Sequence, residues 1–404
     1  MKRLYFGYIT GPIIGIFWTL VVSTSVSILM AFATGGAYLP TLWGSILSGL
    51  FLGLLTVRFQ NHLIIIPAAF LVAIILPFVD LGPLAYGDSI PLSMQGLSSL
   101  LFSIGTGWAL VKYLTDCPWG NLTRHEFEEC FIRFLTGSGL VFFTAIVLIP
   151  FYVMVMTSLK SQQALLLNPL DFSLEFEKGW GLLRSYFELF NDFNFGTYMI
   201  TSFVVSITTV VITLLFSVPG AYAIARFRFA GQGALSRSIL LIYMVPMIVL
   251  ALPIYVVFST TGLRNTIIGI ILIYPVTTIP VALYMLQGYF RGLPTEVEEA
   301  GLMDGLSRLV VIWKITLPLS LPALASVSLY VFMIAWNEFL LAFMLLDDPK
   351  IFTLTRGVAM LNSSEIPRQH LMAGAVVSTV PIITIFMALE RFMTRGLTAG
   401  SVKG

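Results

Sequence analysis

Apolar residues fill this chain in ten long runs, at about 9–32, 40–57, 63–82, 97–115, 134–157, 197–224, 238–258, 265–290, 319–345 and 371–393. Most are near the roughly 20 residues that a helix needs to cross a bilayer. The pattern predicts an all-α, polytopic transmembrane helical bundle of about ten spans. Between the eighth and ninth runs lies a polar island, Glu296-Val297-Glu298-Glu299-Ala300-Gly301-Leu302-Met303-Asp304-Gly305, running on to Ile315-Thr316-Leu317-Pro318. A membrane chain places such an island in water, between the ends of two spans. Glu296 and Glu299 fall at helical spacing, which predicts a short amphipathic helix. Pro294 suits its start, Gly305 allows a left-handed turn, and a second helix is expected to run until Pro318 stops it.

Composition supports the same class. Of the 404 residues, 57% are hydrophobic and 10% charged, and the mean hydropathy is +0.93; soluble domains carry about 25% charged residues. The first run follows Lys2 and Arg3 and ends at Ala31-Phe32-Ala33, superficially a signal-peptidase site. It is longer than a usual signal core and reads as a retained span. The net charge of +2 comes without any basic cluster interleaved with aromatics, so nothing points to nucleic acid. Lys and Arg set the orientation: with the N-terminus inside, fifteen of the 22 fall on the cytoplasmic side. Both termini and the 291–318 loop are then cytoplasmic. So are Cys117 and Cys130, read as reduced thiols.

Several chemistries are excluded by what the chain lacks. There is no G-x-x-x-x-G-K-[ST] phosphate loop, so no ATP site of that kind is expected. His125-Glu126-Phe127-Glu128-Glu129-Cys130 ends in Cys where a zinc-protease helix needs His, and His62, His125 and His370 lie in three separate loops. No catalytic residue, cofactor or metal is expected on this chain. An ion-coupled carrier needs ionisable groups in mid-span, and the runs are almost free of them.

The polar island resembles the cytoplasmic loop of ABC importer permeases: Glu-Ala-Ala, three residues, Gly, nine residues, Ile, one residue, Leu-Pro. Glu299-Ala300-Gly301, Gly305, Ile315 and Leu317-Pro318 keep every spacing. Gly301 stands for the second Ala, which loosens the helix by roughly 1 kcal/mol but keeps a small side chain for close docking. Three further stretches narrow the resemblance. Gly220 to Gly231 reads GAYAIARFRFAG, Trp336-Asn337-Glu338-Phe339 follows, and the chain closes on Arg395-Gly-Leu-Thr-Ala-Gly-Ser-Val-Lys-Gly404. In this order they resemble carbohydrate-uptake permeases of the maltose-transporter type. The resemblance covers 134–404, as a six-span core, and leaves 1–133 as a four-span extension with a cytoplasmic linker.

It implies a permease subunit in a prokaryotic inner membrane, passing a di- or oligosaccharide or related polyol. A second, different permease, an ABC ATPase dimer using ATP and Mg, and an extracytoplasmic solute-binding protein complete the assembly. A non-sugar solute and an ion-coupled carrier stay open as alternatives. Glu296, Glu298 and Glu299 are the expected ATPase-coupling carboxylates. Ala300 and Gly301 permit close approach, Asp304 and Gly305 set the turn, and the tail 396–404 is expected toward the ATPase dimer interface.

Other features carry less. Gly7, Gly11 and Gly15, with Gly49 and Gly53, let helices approach closely, either among the first four spans or as a docking face. In the outer loop 158–196, Phe172, Phe176, Trp180, Tyr186, Phe187, Phe190 and Phe193 alternate with Glu175, Glu177, Glu188 and Asp192. That mixture fits either an interfacial anchor or a landing surface for the binding protein. Pro246, Pro253, Pro275, Pro280 and Pro381 interrupt core spans as hinges or as ordinary membrane prolines. Tyr243, Tyr255, Tyr274, Trp336, Asn337 and Glu338 are the aromatic and polar candidates for a sugar path.

Overall fold

The structure, a computed structural model, describes residues 5–79, 81–88, 90–168, 176–363 and 365–399. It forms two compact units, Met1–Leu182 and Leu183–Gly404. Among the described residues, eight helices are long and apolar enough to cross a membrane, and up to ten spans result if two sharply bent helix pairs each count as one. The fold is an all-α polytopic bundle.

The first unit holds α1 (Gly7–Thr34), α2 (Leu42–Phe59), α3 (His62–Ile75), α4 (Leu92–Tyr113), α5 (Arg124–Ser158) and the short α6 (Gln162–Leu167). The glycines explain why α1 and α2 pack so tightly. A Cβ on Gly11 would meet the Gly53 carbonyl at 2.9 Å, and one on Gly49 the Gly15 carbonyl at 2.6 Å. Gly11, Gly15, Gly49 and Gly53 are therefore used up between these helices, as ordinary small-residue packing requires, while Gly7 lies against the Pro118 carbonyl. Backbone contact brings buried hydroxyls together: Thr19 donates to the Ser45 carbonyl at 2.8 Å, and Ser23 and Ser45 share a bond at 2.9 Å. A two-stranded ribbon, β1 (Tyr38–Pro40) and β2 (Leu84–Tyr86), ties one end of the unit, with Tyr38 opposite Tyr86.

The fifth span differs from its expected bounds. Residues 124–133 are helical too, so α5 has 35 residues and runs through position 133/134 without a break. At 1.5 Å per residue it is about 50 Å long, well beyond the ~30 Å hydrocarbon core. The polar part is helical for local reasons. Thr123 and Glu126 form a reciprocal capping box, and Arg124–Glu128 and Glu129–Arg133 pair at i,i+4. Tyr152 donates to the Phe32 carbonyl at 2.9 Å and stacks on the Phe32 ring, which docks α5 on α1. Cys117 and Cys130 are free and buried in this unit.

The second unit is built on α7 (Arg184–Asp192), α8 (Phe195–Arg226), α9 (Gln232–Tyr243), α10 (Met247–Thr260), α11 (Ile267–Gly292), α12 (Thr295–Met303), α13 (Arg308–Val311), α14 (Leu317–Leu319), α15 (Leu321–Asn337), α16 (Leu340–Leu345), α17 (Leu354–Leu361) and α18 (Arg368–Ala399). Two apolar cores hold it. One gathers Tyr198, Tyr274, Phe332, Trp336 and Leu354; the other, nearer α12, gathers Tyr222, Leu286, Phe290 and Val331. Between them Thr213 and Thr278 share a buried bond at 2.6 Å across α8 and α11.

Of the five core prolines, Pro246 stands at a break, capping α10 where α9 and α10 bend by 89°. Pro253, Pro275, Pro280 and Pro381 lie inside continuous helices. The ninth span is shorter than expected. Glu338 takes an extended ψ of 122° and ends α15 at Asn337, rather than at 345. Its carboxylate then accepts from the N–H groups of Leu341 and Ala342 at 2.9 and 3.1 Å and starts α16.

Of the outer-loop aromatics and carboxylates, Phe172 and Glu175 lie outside the described residues, as do the side chains of Phe176 and Glu177. Trp180 and Phe187 are exposed, while α7 seats Leu189 in the core. Glu188 accepts from Arg184 at 2.6 Å and pairs with His370 of α18 at 2.8 Å. These bonds, the Arg184 one foremost, hold the Glu188 carboxyl below its ordinary range.

Candidate functional site

The polar island folds as expected in outline and differs in detail. Pro294 is the N-cap of α12, one position before the first helical residue. Asp304 follows the helix and Gly305 takes φ +83°, reversing the chain. The second helix begins at α13 and widens into a π turn over Ile312–Thr316. That widening fits Pro318, which lacks an N–H and whose ring crowds an α-helical carbonyl. The helix therefore passes Pro318 and ends at Leu319, and α15 leaves at a 74° bend.

The three carboxylates of α12 face different ways. Glu296 and Glu299 are exposed, with Ala300 and Asp304 beside them. Glu298 turns inward, its side chain only 12% exposed. There it meets three groups: the Arg226 guanidinium at 3.4 Å, the Tyr222 hydroxyl at 3.2 Å and the Thr316 hydroxyl at 3.0 Å. Arg226 is itself 9% exposed and donates to the Leu293 carbonyl at 2.9 Å. A buried carboxylate and guanidinium are tolerable only when paired and hydrogen-bonded in this way.

Gly301 is the one residue of α12 fully buried, beside the largely buried Glu298 side chain. A Cβ there would sit 2.6 Å from Ile315 Cδ1, so the bare backbone lies directly on the π turn. The signature residues Gly301 and Ile315 thus touch each other. Sequence reasoning missed two components. Tyr222 and Arg226 sit in the GAYAIARFRFAG stretch, where Arg226 read simply as a basic anchor. The loop also carries an exposed apolar surface: Met303 is 88% exposed, and Leu309 and Trp313 72% each. Val297 is 42% exposed on the same loop.

The six sugar-path candidates differ in exposure. Tyr274 and Trp336 are buried in the core, and Trp336 donates to the Ser378 carbonyl at 3.1 Å. Glu338 caps α16, and its carbonyl accepts from Thr355 at 2.6 Å. Tyr255 lies under the Arg264 guanidinium, 5.0 Å from the ring centre. Asn337 is exposed, with its amide donating to the Met333 carbonyl at 2.9 Å. Tyr243, half exposed, bonds to Tyr330 of α15. Tyr255, Tyr274 and Trp336 thus share one apolar core, and the side chains of Tyr274 and Glu338 meet there. The tail beyond 399 lies outside the described residues.

Known proteins match this chain closely. The family described as "Binding-protein-dependent transport system inner membrane component" matches residues 217–399, which include the whole island. The inner membrane ABC transporter permease protein YcjP of Escherichia coli (strain K12) is 37% identical over 270 residues, 66% of this chain and 95% of that protein. The trehalose/maltose transport system permease protein MalG of Thermococcus litoralis is 32% identical over 281 residues, 69% of this chain and 99% of that protein. In fold, the chain resembles a subunit of a bacterial ABC transporter that imports the polysaccharide alginate. The TM-score is 0.55 at 23% identity, over 67% of this chain and 98% of that one. With nearly the full length of such relatives contained in it, this chain belongs to the binding-protein-dependent inner membrane components, the permease subunits of ABC importers.

Proposed function

We propose that this permease forms half of the path for a di- or oligosaccharide, opposite a second and different permease, in a prokaryotic inner membrane. A separate ABC ATPase dimer, using ATP and Mg, drives it, and an extracytoplasmic solute-binding protein delivers the sugar. The chain itself is a transport subunit and not an enzyme. The substrate class rests on relatives named for trehalose/maltose, diacetylchitobiose and arabinooligosaccharides. The Lys and Arg distribution supports cytoplasmic termini and a cytoplasmic 291–318 loop.

The observation that carries the coupling role is the sidedness of α12. Its inner face is anchored by Glu298 and Gly301; its outer face presents Glu296, Glu299, Ala300 and Asp304 beside Val297, Met303, Leu309 and Trp313. A short helix with an apolar surface and rim carboxylates suits a groove on the ATPase. We assign Leu309 and Trp313, exposed beyond the Gly305 turn, to the same docking surface. In the path, we assign exposed Asn337 and Tyr243 to the sugar and give Tyr255, Tyr274, Trp336 and Glu338 framework roles. Residues 134–404 form the transport core, and 1–133 an extension that braces α5.

The test is uptake of labelled maltose, trehalose and chitobiose by cells with and without this chain. Uptake that survives collapse of the proton and sodium gradients but stops on ATP depletion supports the reading. Uptake that follows the ion gradients points to a secondary carrier instead.

A further inference from the structure

The buried carboxylate of α12 has a position that docking alone does not explain. Glu298 points away from the exposed face, and its three partners come from two other segments: Tyr222 and Arg226 at the end of α8, and Thr316 in the π turn. Arg226 adds a bond to the Leu293 carbonyl, between α11 and α12. Aromatic contacts surround the cluster, with Tyr222 at 5.7 Å from Phe227 and 5.9 Å from Phe290. The Arg308 guanidinium lies over Phe227 at 5.6 Å. Otherwise α12 is held lightly, with Gly301 as its only fully buried residue.

We propose that Glu298 is a positioning residue that latches α12 to α8 through Arg226 and Tyr222, so that a push on the loop is delivered to α8 as well as to its flanking spans α11 and α15. This rests on the coupling role given to the loop. The physical reason is directional. An ion pair flanked by hydroxyl donors, and shielded from water, resists both sliding and separation, because either motion leaves a buried charge unpaired. Apolar contact alone would let α12 slide along α8. The α8 helix then carries the displacement into the bundle, where Thr213 bonds Thr278 of α11.

The test uses the full complex, extracted in mild detergent with its ATPase, and compares hydrogen exchange with and without ATP and vanadate. In the wild type, exchange in 295–303 and in 217–226 is expected to change together. Glu298→Gln keeps the shape and one of the two acceptor oxygens that Tyr222 and Thr316 use, but loses the charge. It is expected to retain the ATPase and the change in 295–303, while the change in 217–226 falls at least twofold. The charge swap Arg226→Glu with Glu298→Arg is expected to recover more of the 217–226 response than either single variant, which keeps the test open if Glu298→Gln folds poorly. An undiminished 217–226 response in Glu298→Gln overturns the latch and leaves the coupling role intact. Loss of the ATPase from Glu298→Gln, with Glu299→Lys retaining it, makes Glu298 a docking residue and also overturns the latch. A wild type that carries no ATPase overturns both.

Discussion

At the scale of single residues, three neighbouring carboxylates of one short helix have different work because a helix has sides. Glu299 is exposed, so Glu299→Lys is expected to leave the protein inserted and folded but to prevent productive ATPase engagement; uptake by cells carrying this variant checks it, and normal uptake contradicts it. Glu298 is buried and paired, so Glu298→Ala is expected to destabilise the loop by about 3–5 kcal/mol, the usual cost of orphaning a buried charge; protease sensitivity of 291–318 reads this. Gly301 gives a subtler case. Gly301→Ala gains about 1 kcal/mol of helix propensity but pushes on Ile315 Cδ1 at 2.6 Å. Paired with Ile315→Val, which removes that methyl, it is expected to raise the melting temperature above Gly301→Ala alone. The signature spacing was legible in the sequence, because Gly301, Gly305 and Ile315 fall at fixed offsets. The inward turn of Glu298 was not, since its partners Tyr222 and Arg226 are about seventy residues away and periodicity reports only local neighbours.

At the scale of elements, the apolar runs located the spans well, and errors fell where polar residues continue or end a helix. The capping box at Thr123 extends α5 outward through residues that hydropathy reads as a loop. The extended backbone at Glu338 cuts α15 short within a run that stays apolar to 345. Neither feature changes the mean hydropathy of its window, so neither registers there. The glycine rows of α1 and α2 carry a direct consequence. Gly49→Val would drive its side chain onto Gly15 backbone and is expected to cost well over 1 kcal/mol, as overpacking does. A loss of monodisperse protein on size exclusion is the readout. The attachment of α7 to α18 is expected to depend on pH. Glu188 is held below its ordinary range, so its contribution to stability is complete above the unfolded carboxylate value of about 4.3 and is lost as pH falls through the lower folded value. Glu188→Gln is therefore expected to lower the melting temperature at pH 7, and the gap to wild type is expected to shrink in strongly acidic buffer. A gap that stays constant with pH contradicts the assignment.

At the scale of the whole molecule, every residue of the coupling site (Tyr222, Arg226 and 293–316) belongs to the second unit, Leu183–Gly404. Removal of residues 1–115 is therefore expected to lower the yield of inserted protein, because α5 loses Phe32 and its other neighbours, yet to leave ATPase association intact in what remains. Co-purification of the ATPase with the truncated chain checks this. The ten-span outline and the loop could be read from the sequence; the packing of Tyr255, Tyr274 and Trp336 into one apolar core could not, because residue type alone does not say which side chains a bundle spends on its own core. The most direct test of the account is a gentle-detergent purification of this chain from its native membrane, with all co-purifying subunits identified and Glu299→Lys run in parallel. The account predicts an ATPase and a second permease with the wild type, and loss of the ATPase alone with the variant. Recovery of the wild-type chain without any nucleotide-binding subunit would contradict it.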